Sequence, residues 1–413
     1  MNGYLQGIKD CLHGRRGNEL AIMMALPISL QFSDAEVSLA HSAGSDKNLN
    51  RNVHKALQVD QLLSDVVGDR LNALSCLVNG NLDGAYRATH SSFNNIVDFM
   101  GNATDFPFLA GTLAHLASDL RIIASMNDNS KAERERLSAQ CLRECQNSIT
   151  RAFTLVSKDR LPLSDPSCKK LHIFNVTNTL FKIYFKLNTL QLATKLIKLV
   201  DTPAVLSALT AFPLQDVITY KFYVGRLAMF EDRLDEAREC LQFALKYTKY
   251  TSNNLHNRKL ILASLVPIEM LRGVMPTPLL GSQYGLDVYV ELGNAVRTGD
   301  LRSYNTIFHK HKAVFIRTGT YLIIEQLKNL VYRNLFKRIY KITESTRLNL
   351  DVFYYVLQWL GEEMDIDEIE CILANLIFQS RVKGYLSHQK RILVVGKTDP
   401  FPTSHIIKKQ RNI

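Results

Sequence analysis

Asp365–Val395 reads DIDEIECILANLIFQSRVKGYLSHQKRILVV, and its hydrophobic period changes once along its length. Asp365 can accept an orphan N–H and Glu368, three residues on, can reach back, which is how a helix is opened. Ile369, Ile372, Leu373, Leu376 and Ile377 then fall at i, i+3, i+4, i+7 and i+8, one helical face. After Arg381 the pattern shortens. Lys383–His388 and Arg391–Val395 read as two short strands around a polar turn. Working outward, Tyr321–Thr343 is a long apolar helix, Arg347–Asn349 a short extended piece, and 351–360 a second helix. Helix, strand, helix, helix, hairpin is the order of a winged helix. That fold contacts nucleic acid or assembles protein complexes, and seldom does chemistry.

From about 60 to 310 the pattern is almost wholly helical. Four turns resemble one another: Asn81–Ala85, Thr189–Ala193, Arg233–Ala237 and Asp300–Tyr304. Each puts a Leu (82, 190, 234, 301) at the start of the second helix and a small or aromatic residue three positions later. Such hairpins are those of tetratricopeptide-like repeats, in which the small residue lets two helices approach. The Leu spacing is irregular, so the repeats are degenerate, and an ordinary helical bundle is the competing reading. Pro162, Pro166, Pro203, Pro213, Pro276 and Pro278 mark turns. Residues 1–60 predict helical pieces over 3–13 and 18–31, with a polar loop over Ser42–Asn52. The expected organisation is mainly α: an N-terminal helical segment and loop (1–60), a helical-repeat solenoid (61–310), a C-terminal winged helix (311–403) and a basic tail (404–413).

With 413 residues, 46% hydrophobic and 22% charged, the chain can build a large core. Its formal net charge of +11 favours acidic partners: nucleic acid, an anionic membrane or an acidic protein. Seven Cys without paired spacing read as reduced, mostly buried thiols of an intracellular protein. Arg15-Arg16 before the run Leu20–Leu30 imitates a secretory signal, but Pro27 interrupts the run, and a core helix is the better reading. No apolar run reaches the roughly 18–20 residues of a membrane span, so the sequons at Asn102 and Asn175 carry no meaning.

Chemistry is poorly represented. No phosphate-binding Gly-rich loop, nucleophile elbow or H-E-x-x-H occurs. His309 and His311 would diverge on a helix, and the carboxylates of Glu362–Glu370 suit a helix N-terminus rather than a metal. No cofactor or metal is expected. The basic residues are the better case: from His309 to Ile413 there are 17 Lys or Arg against 10 Asp or Glu. Arg333, Lys337 and Lys341 recur every four residues with Arg338 beside them. Arg381 and Lys383 flank the first wing strand, Lys390 and Arg391 lie at its turn, and Lys397 follows the second strand. These nine can track phosphates, the alternative being a solvated charged face. The acidic start of the third helix argues against base readout in a major groove. In the hairpin, Tyr385, Leu386, Ile392 and Val394 alternate with polar neighbours, leaving one face and an edge for a partner.

Together these segments resemble the PCI-domain family, helical repeats capped by a C-terminal winged helix. Phe181–Lys186, Tyr220–Arg226 with Ala228–Phe230, Tyr332–Lys337, Asp365–Glu368 followed by Cys371–Ile377, Val382–Tyr385 and Pro400–Pro402 are similar to the PCI-domain-containing protein two group. The resemblance covers roughly 65–403. It implies a non-enzymatic subunit of a nuclear complex coupling transcription to mRNA export, found at nuclear pores with some cytoplasmic pool. It implies a large scaffold partner with its own PCI-like region, a small acidic disordered partner, and RNA or single-stranded DNA on paired winged helices. Lys182, Lys186, Lys221 and Arg226, with Phe185, Tyr220 and Tyr223, are then the expected groove for the acidic chain. The alternative is an assembly subunit of a proteasome-lid or signalosome type that binds no nucleic acid.

Overall fold

The computed structural model describes residues 1–102, 107–135, 139–165 and 167–402. The expected basic tail and Pro166 lie outside them. The chain divides into two compact units, Met1–Tyr223 and Val224–Ile413. The first holds α1 (Asn2–His13), α2 (Gly17–Met24), α3 (Asp34–Gly44), α4 (Leu49–Leu57), α5 (Gln61–Val78), α6 (Leu82–Asn102), α7 (Ala110–Glu135), α8 (Gln140–Ser157), α9 (Ile173–Leu187), α10 (Leu190–Val200) and α11 (Pro203–Ser207). The division falls inside α12 (Leu214–Phe230). The second unit continues with α13 (Leu234–Tyr247), α14 (Leu255–Leu271), α15 (Pro278–Tyr284), α16 (Asp287–Thr298), α17 (Leu301–Lys310), α18 (Lys312–Thr318) and α19 (Tyr321–Thr343). It ends in β1 (Arg347–Asn349), α20 (Leu350–Trp359), α21 (Ile366–Phe378), β2 (Gly384–Ser387) and β3 (Ile392–Val395). This is the helical-repeat and winged-helix architecture that the sequence predicts.

The four expected turns are real and share one construction. Leu82, Leu190, Leu234 and Leu301 are each the first residue of their helix. Two residues earlier stands a left-handed residue: Gly80 (φ 72°), Asn188 (55°), Asp232 (58°) and Gly299 (70°). Between them, the N–H of Asn81, Thr189, Arg233 and Asp300 reaches back five residues to a carbonyl, at 2.8–2.9 Å. That bond satisfies an orphan carbonyl of the preceding helix, and Gly, Asn and Asp are the residues that tolerate the left-handed backbone. Three residues after each Leu, Ala85, Ala193, Ala237 and Tyr304 are fully buried against the neighbouring helix.

Two N-terminal expectations need correction. The helix expected over 18–31 ends at Met24, because Ala25 is already extended and Pro27 cannot continue it. The loop expected over Ser42–Asn52 shrinks to Ser45–Asn48. Its polar composition hid the i, i+4, i+8 series Leu49, Val53, Leu57, which turns α4 inward; Val53 and Leu57 are fully buried.

In the winged helix, Asp365 accepts from the Glu368 N–H (2.7 Å) and Glu368 accepts from the Asp365 N–H (3.1 Å), the predicted reciprocal cap. Leu327, Phe336, Leu348, Phe353, Ile369, Leu373, Leu376 and Leu393 form the core. The sheet order is β1-β3-β2, all antiparallel, so β3 is central. Gly384 lies so close to β3 that a Cβ there would stand 2.2 Å from the Val394 carbonyl oxygen.

Candidate nucleic-acid interface

Register sets the outer face of the sheet. Arg347 on β1 lies opposite Val394 on β3, and Val394 opposite Tyr385 on β2. Directly paired residues point to the same side. Arg347 is exposed, Tyr385 is 63% exposed, and Val394 lies half-buried between them. The next row is Asn349, Ile392 and Ser387. Leu386 pairs with Leu393 on the opposite, covered side. The four hairpin residues therefore do not share a face: Tyr385, Ile392 and Val394 look outward and Leu386 inward. The hairpin's edge is also less open than expected, because β1 occupies one side of β3 and only the outer side of β2 remains. Arg347 was missed in the sequence, where it looked like a connecting residue; its i, i+2 alternation with Asn349 was the only signal.

The nine predicted basic residues separate by burial. Lys341, Lys383, Lys390 and Lys397 are exposed and have no ion-pair partner among the described residues. Arg338 is exposed but donates to the Thr298 carbonyl (3.0 Å) at the end of α16. Lys337 is half-buried, its pKa lowered by burial and by the charges of Arg333 and Lys341. Arg391, left-handed at the wing turn, lines a groove with Glu363, Asp365 and Asp367, so carboxylates offset its charge. Two assignments fail. Arg333 is 7% exposed, and its Nη2 donates to the carbonyls of Phe401 and Pro402 (2.7 Å to the latter). It holds the end of the described chain onto α19, where Phe401 packs on Tyr340 (ring centroids 5.7 Å apart). Arg381 is half-buried, with Nη1 sealed from solvent. Burial, helped by repulsion from Arg333, pushes its guanidinium down to about 10. Neither can follow a phosphate backbone.

The carboxylates of the third helix have structural employment. Beyond the Asp365–Glu368 cap, Glu370 Oε2 sits 2.6 Å from His388 Nδ1, tying α21 to the wing turn and raising the His388 pKa. Glu362 pairs with Lys328 at 3.3 Å. Among the described residues no group of three His, Cys, Asp or Glu is placed to hold a metal. No described helix is long and apolar enough to cross a membrane.

The PCI domain family model matches residues 301–397, which span α17 to the end of the sheet. A PCI domain-containing protein 2 homolog of Dictyostelium discoideum is 33% identical over 84% of this chain and 80% of its own length. PCI domain-containing protein 2 of Danio rerio is 32% identical over 97% of both chains, and a homolog of Drosophila melanogaster 31% over 98% of both. The chain belongs to the PCI domain-containing protein 2 family. It is thus a PCI complex subunit, of a class that forms heteromeric assemblies.

The residues expected to form a groove for an acidic partner differ in exposure in this PCI protein, and of their rings Phe185 and Tyr223 pack together (centroids 5.3 Å apart). Lys182 turns into a polar cavity of about 290 Å³ with Asn175, Asn178, Thr179 and Asp216, where burial, with help from Arg121, lowers its pKa. Lys186 is exposed and bonded to Ser125. Lys221 is half-buried. Arg226 belongs to the second unit and donates to the Thr318 carbonyl (3.5 Å). Tyr220 is core: it is fully buried, packs on Phe174 and Phe181, and donates to Asp201 (2.8 Å).

Proposed function

We propose that this PCI protein is a non-catalytic subunit of a nuclear complex that couples transcription to mRNA export, and that the outer face of its winged-helix sheet binds single-stranded nucleic acid. The observation that carries the binding half is the row Arg347–Val394–Tyr385, an exposed aromatic ring in register with an exposed guanidinium. Exposed Lys341, Lys383, Lys390 and Lys397 lie in the same domain. Aromatic side chains stack on bases of any identity while Lys and Arg track the backbone. The acidic third helix disfavours duplex readout and leaves the sheet as the better surface. The nuclear and nuclear-pore setting, the large PCI-like scaffold partner and the small acidic partner rest on the family resemblance. The scaffold's winged helix would meet the outer edge of β2, one of the two edges of the sheet with no strand neighbour.

The test is anisotropy of a labelled single-stranded RNA with the purified full chain across a salt series. Replacing Lys341, Arg347, Lys383, Lys390 and Lys397 by Ala should weaken binding for all sequences alike. It should also flatten the slope of log K against log salt by about 0.7 per lost contact. Unchanged affinity in a folded quintuple variant refutes the interface. Affinity purification with identification of co-purifying chains tests the complex, and recovery of only lid- or signalosome-type subunits would support the assembly alternative.

A further inference from the structure

In the second unit, the stretch Cys240–Ile268 carries Lys246, Lys249, Arg258 and Lys259 and no Asp or Glu. It takes in the end of α13, the connecting turn and most of α14, so the four cations gather at the turn end of one helical hairpin. The carboxylates lie at the other end: Asp235 and Glu236 are in the first turn of α13, and Glu269, late in α14, pairs with Arg238 at 2.7 Å. α15, which also packs on α14, adds no acidic residue. Of the two acids of α16, Asp287 turns its carboxylate against Gly281, and Glu291 lies a turn further along. The fold accounts for only two of the four cations. Lys246 is in the last turn of α13, where the dipole favours a positive charge. Arg258 holds the turn, donating to the Leu245 carbonyl (3.2 Å), the Thr248 carbonyl (2.6 Å) and the Tyr284 hydroxyl (3.1 Å). Lys249 lies outside any helix, and Lys259 is near the start of α14, where the dipole favours an anion. Lys246, Lys249 and Lys259 are exposed, with no ion-pair partner among the described residues.

The same end exposes two rings. Tyr247 is 41% and Tyr250 62% exposed, so Lys246, Tyr247, Lys249 and Tyr250 alternate ammonium and ring twice in five residues. Each ring has a cation over it: Lys246 Nζ is 5.5 Å from the Tyr247 centroid and Arg258 Cζ 5.7 Å from that of Tyr250. The Tyr250 hydroxyl also accepts from Gln283 Nε2 at 2.7 Å. Tyr250 is therefore held in place yet open to solvent, which lowers the ordering cost of a stacked ligand. Unopposed positive charge selects an anionic partner. A single nucleic-acid strand alternates phosphate with a flat base, as the patch alternates ammonium with ring, and its unpaired bases offer their faces to aromatic side chains. An acidic peptide supplies the charge but no ring in step with it. We propose that the turn end of the α13–α14 hairpin is a second contact for single-stranded nucleic acid, with Lys246, Lys249 and Lys259 on phosphates and Tyr250 stacked on a base. The inference rests on the reading of this chain as a nucleic-acid binder, but not on the sheet face.

The experiment uses the full chain with Lys341, Arg347, Lys383, Lys390 and Lys397 all replaced by Ala, so that the sheet face is silent, and a labelled single-stranded RNA across a salt series. Salt-sensitive RNA binding should persist in this background. Adding Lys246→Ala, Lys249→Ala and Lys259→Ala, all at exposed positions, should weaken it at least tenfold at low salt and flatten the salt slope by about 2. Tyr250→Ala should weaken RNA binding at least roughly fivefold and Tyr250→Phe should not. Heparin, a polyanion without bases, should bind both Tyr250 variants alike. Loss of all RNA binding in the starting background overturns the proposal, as does an RNA affinity that the three lysine substitutions leave unchanged. So does a Tyr250→Ala change that spares RNA, or that weakens heparin as much as RNA. A sheet variant that binds RNA as tightly as the unaltered chain refutes the sheet face alone, so the two readings fail separately.

Discussion

Replacing Arg333 by Met tests the reassignment of this residue from surface contact to internal clamp. Arg333 donates from one nitrogen to two main-chain carbonyls, of Phe401 and Pro402. A hydrogen bond from a charged group contributes about 1.5–3 kcal/mol, and two sharing one nitrogen sum to less than twice that, about 2–4 kcal/mol. Met keeps the apolar stem and removes a charge whose burial lowers the Arg333 pKa, recovering roughly 1 kcal/mol of that loss. The net cost is about 2 kcal/mol, and for a unit of this size that is a fall of roughly 4–8 °C in Tm. Trp359 is the only tryptophan and lies in the winged helix, so its fluorescence during thermal and denaturant unfolding reports on the affected unit. The Lys383 amide, which donates to the Pro400 carbonyl at 2.8 Å, should exchange with deuterium before the rest unfolds. A Tm change under 1 °C would refute the clamp. A loss of RNA affinity as large as that from Lys341→Ala, with stability unchanged, would return Arg333 to the surface.

Other expectations concern single sites. Tyr385→Ala should weaken single-strand binding by about 1–3 kcal/mol without altering the salt slope, since a lost stack releases no counterion; a changed slope would contradict stacking. Burial lowers the His172 pKa from its ordinary 6.5 to about 4, so as pH falls the unfolded chain takes up this proton first. Its contribution to stability is therefore whole above pH 6.5 and lost between 6.5 and 4, at up to roughly 1.4 kcal/mol per pH unit. Denaturant titrations of His172→Phe should show a flatter acid limb. The His388 pKa is raised by Glu370, so its stabilising effect is whole below pH 6.5 and fades as pH rises through its folded pKa; His388→Ala should matter more at pH 5.5 than at pH 8.5. Asn188→Ala leaves a β-carbon in the left-handed region of its turn without the short polar side chain that eases that backbone, and should cost about 1 kcal/mol, whereas Asn188→Gly should be neutral or slightly stabilising.

Local pattern sufficed wherever a contact joins near neighbours in sequence. The Asp365–Glu368 cap, the apolar face of α21, the change to strand period after Arg381 and the four Leu-started helices all depend on residues within one or two turns, and each is where the sequence places it. The left-handed residues Gly80, Asn188, Asp232 and Gly299, two positions before each Leu, emerged only with the structure. Tertiary structure decided what each face meets. The repeat Arg333, Lys337, Lys341 is a uniform stripe in sequence, yet it runs from buried through half-buried to exposed, because residues 401–402 fold back over one end of α19. Leu386 and Tyr385 are neighbours whose fates diverge because β3 pairs with both β1 and β2, and that register sends Tyr385 out beside Val394 and Arg347. Lys182 lies on a helix of basic and aromatic residues but turns inward towards Asp216 on α12. In each case the deciding partner lies tens of residues away. Periodicity establishes that a helix or strand has two sides, whereas which side is covered depends on long-range packing that residue spacing does not encode.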